Sequence, residues 1–247
     1  MTADATGFAE QTCTAPPERS DRMRDIVLAH VPSDRAIRVL DVGCGTGSLV
    51  FRLADALPHA SLVGIDLSDA NIRAAAREQS GRSSSARIAF ATVDYLHYRP
   101  GEFDPFDAIV SDGVLHLVPG DSGALARKIA HDLKPGGVFV CDMPFACAYN
   151  TAFAALRRVL RRIRSSWTDR AILQIGRVLH GREMSDDGLR ERIGYMYVPP
   201  ERVMGERLLR TFESAGLDAI AEHAMRSVSL SQLRHRVTVF ERRAGAR

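Results

Sequence analysis

Glycines at alternate positions mark one turn of this chain. Gly43, Gly45 and Gly47 follow a short β-branched segment at residues 37–42 and precede a predicted helix at residues 48–57. A glycine-rich turn between a strand and a helix lets the backbone approach a ligand closely, because side chains would otherwise fill that space. The spacing suits a dinucleotide, a flavin or an adenosyl cofactor, and a tight turn without a ligand is the plain alternative.

Two carboxylates stand where the next two predicted strands end. Asp66 follows the strand at residues 61–65, at about the distance from the glycines where an acidic residue meets a ribose, and its two oxygens can accept from both hydroxyls. Asp94 follows the strand at residues 88–93, where its carboxylate can accept from the exocyclic amine of adenine. Three strand ends therefore converge on an adenosine group.

The elements that must position these residues alternate along the chain. Short apolar strands are predicted at residues 37–42, 61–65, 88–93, 106–111 and 137–141. Helices are predicted at residues 22–30, 48–57, 69–79 and 122–133. Residues 134–137, Lys-Pro-Gly-Gly, should stop the last of these helices, and residues 217–228 and 236–241 should form a final strand pair. The alternation predicts a doubly wound parallel sheet.

The stretch from residue 147 to residue 216 breaks this alternation. Apolar side chains repeat there at helical spacing, with arginines falling largely between them: Phe153, Leu156, Leu160, Ile163 and Trp167. Further helices are predicted at residues 169–179 and 200–215, with Pro200 in the first turn of the second. We interpret the arginines as a solvated face over an apolar stripe, and binding of an anionic substrate is the alternative.

Residues 39–49, Val-Leu-Asp-Val-Gly-Cys-Gly-Thr-Gly-Ser-Leu, resemble the first motif of class I S-adenosylmethionine-dependent methyltransferases. Residues 64–68, 106–111 and 133–137 are similar to the remaining landmarks of that family, in the same order. The resemblance implies a mostly parallel, doubly wound seven-stranded α/β sheet with an antiparallel last strand. It also implies a helical cover inserted between strands five and six. The expected division is an N-terminal cap at 1–36, a Rossmann-like core at 37–146, the cover at 147–216 and a closing strand pair at 217–247.

The same resemblance implies a cofactor, S-adenosylmethionine, with S-adenosylhomocysteine as product. Asp41 and Gly43 should lie near its methionine part, Asp66 on the ribose, and Asp94 with Tyr95 around adenine. The full expected cofactor set is Asp41, Gly43, Gly45, Gly47, Asp66, Leu67, Asp94, Tyr95 and Ser111, the last facing the methionine end. The structural alternatives are that Asp41 caps the following turn and that Tyr95 covers the sheet edge.

The segment after the fourth strand is where such enzymes place groups beside the transferred methyl. His116 lies there and is the candidate general base, since imidazole titrates near neutrality. A packing role beside the cofactor is the alternative. Tyr98, Tyr195 and Tyr197 are the other expected acceptor contacts, because their rings offer flat faces to a planar substrate. Positioning alone can supply much of the acceleration, so a base is optional.

Several chemistries are not expected. Residues 111–114, Ser-Asp-Gly-Val, depart from the Asn/Asp-Pro-Pro-aromatic motif of exocyclic-amine methyltransferases, and no cysteine follows a proline as in cytosine-5 enzymes. A dehydrogenase would carry a Tyr-x-x-x-Lys pair, which is missing. The four cysteines show no zinc-ligand spacing, so free thiols and no metal are expected. A net charge of +3 gives little support to a nucleic-acid partner.

The sequence therefore favours methyl transfer to N or O of a small, planar aromatic or heterocyclic metabolite. The alternatives are a methyltransferase acting on RNA or protein, a carboxyl methyltransferase acting on a small anionic acid, and a binding protein without catalysis. No apolar run reaches the roughly 18–20 residues that span a bilayer, and no secretory signal pattern is present. A cytoplasmic monomer or homodimer without a membrane partner is expected.

Overall fold

A computed structural model describes residues 15–82, 87–100, 105–180, 186–225 and 232–245. Its strands are β1 (Arg38–Val42), β2 (Ser61–Asp66), β3 (Ile88–Thr92), β4 (Phe106–Asp112), β5 (Leu133–Pro144), β6 (Leu217–Ala224) and β7 (His235–Arg242). They form one seven-stranded sheet in the order β3-β2-β1-β4-β5-β7-β6. Val39 in β1 pairs in parallel with Leu62 and with Ala108, whereas β7 runs antiparallel to both β5 and β6. The predicted fold class is confirmed.

Helices cover both faces of the sheet. They are α1 (Pro17–Leu28), α2 (Ser48–Ala56), α3 (Asp69–Gln79), α4 (Ser122–Asp132), α5 (Ala148–Arg162), α6 (Ser166–His180), α7 (Asp186–Ile193) and α8 (Glu206–Ser214). Side chains of α1, α2 and α3 pack with Val39, Leu62 and Val140 on one face. Side chains of α4 and α8 pack with Leu40 and Phe139 on the other. Because successive residues of a strand point to opposite faces, every central strand is apolar on both sides.

The predicted strand boundaries are accurate to one residue in the first half of the chain, whereas α1 begins at Pro17, five residues earlier than predicted, and the second half differs more. β5 begins at Leu133 and takes in residues 134–137, which the sequence predicts as a turn. A register shift against β4 between Phe106 and Ala108 accommodates this start, with Gly136 at φ +74°. The strand predicted at residues 217–228 ends at Ala224, and residues 226–231 lie outside the described part of the chain.

Helix α8 starts six residues later than predicted, at Glu206. The backbone before it is held by other elements: the amide of Glu201 donates to the His116 carbonyl at 2.8 Å and that of Met204 to the Pro144 carbonyl at 2.7 Å. A helix starting at Pro200 would need the Met204 amide to donate to the Pro200 carbonyl, and the bond to Pro144 prevents this. The prediction that Pro200 occupies a first helical turn is wrong. Helix α7 and the 3₁₀ turn Gly194–Tyr197 were not predicted.

Helix α5 is oriented opposite to its amphipathic pattern. Its buried residues are Asn150, Ala154 and Arg157, whereas Ile163, which follows its last turn, is 53% exposed. Asn150 fixes this rotation, because its side-chain amide donates to the carbonyls of Phe145 and Arg234 at 2.7 and 2.8 Å and its oxygen accepts from the Arg234 amide. The expectation of a buried apolar stripe is therefore wrong for this helix, whereas Arg158, Arg161 and Arg162 are exposed as expected.

Candidate active site

The glycine turn follows β1 at the edge where the parallel strands end. Gly43, Gly45 and Gly47 all have positive φ, at +76°, +54° and +85°. A Cβ at Gly43 would lie 2.5 Å from a methyl of Val114, so a side chain is excluded by conformation and by space. The turn therefore brings bare backbone beside the segment that follows β4.

Asp66, at the end of β2, shapes this turn from the next strand. One carboxylate oxygen accepts from the Gly45 amide at 2.9 Å, and the other accepts from the Ser68 amide at 2.8 Å and the Asn71 side chain at 3.2 Å. Leu67 beside it is 52% exposed. Since a carboxylate oxygen has two lone pairs, these bonds leave room for the ribose contact expected at Asp66.

Asp41 is a buried carboxylate that lacks a full set of partners. Its side chain is 3% exposed, and its Oδ1 has no hydrogen-bond partner among the described residues. Burial, and then the nearby carboxylates of Asp112 and Asp66, raise the pKa of Asp41 well above its usual range. A group of this kind is stabilised when a cation arrives. The ammonium of the methionine part of an adenosyl cofactor fits this requirement.

The segment after β3 offers fewer side-chain contacts to adenine than the sequence predicts. Asp94 is 37% exposed and accepts from the Leu96 amide at 2.9 Å, so it is open to a ligand while capping its own turn. Tyr95 is buried beneath α4, with the Lys128 ammonium 4.7 Å from its ring centre. Its side chain covers the sheet, and only its backbone remains available for adenine.

Tyr98 is not brought to the acceptor side. Lys128 Nζ donates to the Tyr98 carbonyl at 2.9 Å, and this bond holds the segment against α4. Its phenol interacts electrostatically with Arg38 and Asp132, and Arg38 begins β1 at the opposite edge of the sheet. This position gives no support to a substrate contact of Tyr98, which stays a prediction.

Ser111 has no exposed surface. Its hydroxyl donates to the Val42 carbonyl at 3.0 Å, which links the ends of β4 and β1. The sequence places Ser111 at the methionine end of the cofactor, and the structure assigns its hydroxyl to holding the two strand ends together. The next residue, Asp112, carries the carboxylate at this position, and that carboxylate accepts from Arg19.

An ion network that the sequence analysis missed crosses the same edge. Arg19 of α1 donates through Nε to Asp112 at 2.7 Å and also pairs with Asp142. Asp142, which is fully buried, bonds to Nδ1 of His235 at 2.7 Å. Asp112 and Asp142 are partners in the β4–β5 register. The sequence could have predicted this pair of carboxylates, because adjacent parallel strands end at the same edge of the sheet and so place their last residues side by side.

His116 is 5% exposed, and its Nδ1 has no hydrogen-bond partner in the described structure. Its ring meets that of His235 edge to face, with 5.2 Å between centroids. Burial, with the positive groups His235 and Arg157 nearby, lowers the pKa of His116 well below its usual range. The imidazole is therefore neutral at physiological pH, and a depressed pKa makes it a weak proton acceptor.

Arg157 reaches the same region from the inner face of α5. It is 7% exposed, and its Nη1 donates to the Val198 carbonyl at 3.2 Å. Its guanidinium lies 5.0 Å from the Phe153 ring centre. No carboxylate of the described residues pairs with it, its Nε has no partner there, and burial lowers the pKa of Arg157 to about 10. A buried cation without an acid is a candidate anion-binding group.

Arg202 is a buried arginine whose hydrogen bonds are made to the chain itself. Its Nη1 donates to the carbonyls of Leu115 and Val118, both at 2.7 Å, and its Nη2 to that of Gly120 at 2.9 Å. These bonds fix the loop that carries His116. Because carbonyls surround its guanidinium, Arg202 has little capacity left for a ligand, in contrast to Arg157.

The tyrosines of the cover are placed differently from the expectation. Tyr197 is 2% exposed, and its hydroxyl donates to Asp169 at 2.6 Å and lies 3.2 Å from the hydroxyl oxygen of Thr168. Arg164 lies 4.7 Å over its ring. Tyr197 therefore holds the cover helices together, and its substrate contact stays a prediction that this position does not support. Tyr195, half-buried in the same 3₁₀ turn, stays a candidate acceptor contact.

Cys44, Cys141 and Cys147 are free thiols, and Cys13 lies outside the described residues. Within the described ranges, no three His, Cys, Asp or Glu side chains gather in a way that could hold a metal ion. Across those same ranges, every helix is too short or too polar to cross a bilayer.

This sheet order, the glycine turn and the carboxylates at the carboxyl edge of the strands define a class I methyltransferase, and S-adenosylmethionine is its cofactor. A sequence profile of the family described as a methyltransferase domain matches residues 33–215. The chain belongs to this family.

Two curated relatives match about half of the chain. They are trans-aconitate 2-methyltransferases from Azoarcus sp. (strain BH72), 33% identical over 127 residues, and from Variovorax paradoxus (strain S110), 39% identical over 118 residues. The matches cover 51% and 48% of this chain and 46% and 42% of the relatives, so the chain spans about half the length of the curated relatives it matches.

Among solved structures, the chain is similar to Burkholderia thailandensis 1,6-didemethyltoxoflavin-N1-methyltransferase with bound 1,6-didemethyltoxoflavin and S-adenosylhomocysteine. The TM-score is 0.61 at 14% identity, over 92% of this chain and 79% of the other. At this identity the similarity supports the fold.

His116 should leave a signature in the pH dependence of stability. The unfolded chain takes up its proton near pH 6.5, whereas the folded state resists it, so the stabilisation is complete above that pH and is lost as pH falls below it. Substituting His116→Leu should reduce the slope of the unfolding free energy between about pH 5 and 6.5 by up to about 1.4 kcal/mol per pH unit. Urea denaturation at several pH values measures this. His131→Leu, at an exposed position on α4, is the control, and an unchanged slope in His116→Leu would contradict the burial argument.

Proposed function

We propose that this methyltransferase methylates a carboxylate of a small acid that carries more than one anionic group. The observation that supports this most strongly is Arg157, a buried guanidinium facing the His116 region without a carboxylate partner among the described residues. S-adenosylmethionine supplies the methyl group from a sulfonium centre. The chain's own residues then have to bind, orient and desolvate the acceptor.

An anion is the ligand that Arg157 lacks. A cation held out of water is costly unless it is paired, and an arginine can bind a carboxylate through two parallel hydrogen bonds. Its neighbour Arg158 is exposed to solvent, so the two arginines differ in environment while sharing a helix. Binding of an acid at Arg157 would offset the free-energy cost of burying its charge. It would also orient the acceptor.

The carboxylate held by Arg157 is not expected to be the one that reacts. Pairing with a guanidinium draws electron density away from the bound oxygens and weakens them as nucleophiles. A second carboxylate, placed nearer to His116, is the better nucleophile. It arrives already charged, so it needs no base, and this agrees with the lowered pKa of His116.

The names of the curated relatives support an acid acceptor. Both are trans-aconitate 2-methyltransferases, although their similarity covers only about half of each chain. A planar aromatic acceptor, which the sequence favours, has weaker support because the Tyr197 hydroxyl is bonded to Asp169 and the Tyr98 phenol has Arg38 and Asp132 as electrostatic neighbours. The catalytic contribution of the chain is then mainly orientation of the acid against the cofactor.

A comparison of acceptors tests the proposal. Purified protein is incubated with S-adenosylmethionine and, separately, with tricarboxylic, dicarboxylic and monocarboxylic acids, phenols and N-heterocycles. S-adenosylhomocysteine formation gives kcat/KM, and NMR locates the new methyl. Polycarboxylic acids should have the highest kcat/KM and yield methyl esters. Turnover of phenols or heterocycles without turnover of any polycarboxylic acid would contradict the proposal.

A further inference from the structure

The helical cover turns a set of large apolar side chains towards solvent. Leu156 and Val159 lie on α5, Ile163 follows it, and Trp167, Ile175 and Val178 lie on α6; their exposed fractions are 45%, 53%, 53%, 72%, 58% and 86%. We call these six residues the cover patch. They recur at helical spacing and account for most of the exposed large apolar side chains of the described chain. Exposed apolar side chains concentrated in two consecutive helices mark an interaction surface.

Positive charge surrounds the cover patch. Residues 148–180 contain seven arginines and a single acid, Asp169, whose carboxylate accepts the Tyr197 hydroxyl. The arginines beside the patch are exposed: Arg158, Arg161, Arg162, Arg164 and Arg170. A partner for this surface must therefore offer both negative charge and an apolar layer.

We propose that the cover patch docks on an anionic lipid surface. A second copy of the chain, joined through the same patch, would place arginines against arginines and is disfavoured by like-charge repulsion. A nucleic acid would pair with the arginines but would leave the aliphatic side chains exposed to water. Basic helices that present tryptophan and aliphatic residues bind at the interface of acidic membranes, where the rings lie at headgroup level.

This surface and the acceptor site share one helix. Arg157 faces inward from α5, while Val159 and Arg158 face outward from the same turn. Docking would therefore fix α5 from outside without using any group proposed to bind the acceptor. It revises the sequence-based expectation that no membrane partner exists, because that expectation rested on the absence of a spanning segment.

Trp167 makes the proposal directly measurable, because it is the only tryptophan of the chain. Its emission should shift to shorter wavelength on titration with phosphatidylglycerol vesicles and much less with phosphatidylcholine vesicles. Sedimentation with the vesicles gives the partition coefficient. Substitution Val159→Asp with Ile163→Asp should lower it at least about tenfold, and Arg158→Gln with Arg162→Gln should lower it about fivefold for each arginine.

Ile220→Asp is the matched control, since Ile220 is 47% exposed on β6, away from the cover. It should bind vesicles like the parent, and all variants should bind S-adenosylhomocysteine like the parent, which shows that they are folded. Vesicle binding that is unaffected by Val159→Asp with Ile163→Asp would overturn the proposal. A patch-dependent dimer in sedimentation velocity without vesicle binding would also overturn it and would assign the patch to a second copy.

Discussion

Replacing Arg157 by methionine should raise KM for the acid acceptor by about a hundredfold or more. Breaking one buried, hydrogen-bonded charge pair commonly costs 2–5 kcal/mol, and each 1.4 kcal/mol is tenfold in affinity. Methionine keeps the length and apolar contacts of the side chain, and it removes a cation whose pKa is lowered to about 10 by burial. The free protein should therefore be as stable as the parent, or more so.

Arg158→Met is the matched control for this substitution. Arg158 is the next residue of α5 and is exposed, so its substitution should leave KM unchanged. Steady-state rates at varied acceptor concentration, with calorimetric affinity for S-adenosylhomocysteine, separate the two binding sites. An unchanged KM in Arg157→Met, with cofactor affinity intact, would remove Arg157 from acceptor binding.

Asp41→Asn should have opposite effects on stability and on cofactor binding. Burial raises the pKa of Asp41, so ionisation of this group favours the unfolded chain as pH rises above about 4. Asparagine cannot ionise, and the free variant should gain about 1–3 kcal/mol at pH 7, a difference that vanishes in acid where the parent is protonated. Loss of the carboxylate should weaken S-adenosylmethionine binding by about a hundredfold or more.

Asp107→Asn provides the contrast. Asp107 is buried at the opposite edge of the sheet, where it accepts from the Arg38 amide at 2.8 Å and from Lys134 at 2.7 Å. This variant should be less stable than the parent and should bind the cofactor normally. Denaturation curves and calorimetry on both variants are sufficient. A loss of stability in Asp41→Asn would mean that the carboxylate is satisfied by partners within the chain.

The parts of the site that follow local chain order could be predicted. Asp41 lies near the end of β1, Gly43 directly follows that strand and Asp66 ends the next strand, so the rule that parallel strands end at one edge places them together. Periodicity and turn residues also give the strands of the first half within a residue or two. These residues are close to one another in the sequence and follow strands rich in β-branched residues. Their positions therefore depend little on the rest of the fold.

The parts that depend on distant contacts could not be predicted. The rotation of α5 is set by Asn150, which bonds to Arg234, 84 residues away, and this places Arg157 inside. Asp142 and His235 meet only because β7 inserts beside β5. Amphipathic patterning assumes that apolar residues face the core, and a helix that exposes its apolar side to a partner violates that assumption.

The position of β7 also constrains when the enzyme can assemble. It lies between β5 and β6 in the sheet but is synthesised after both, so a nascent chain has an open β5 edge until β7 emerges from the ribosome. Arg19, made early, can reach Asp142 at once, whereas the His235 contact has to wait. Exposed strand edges recruit other chains. The sheet of this enzyme therefore stays open at β5 until its last strand has been made.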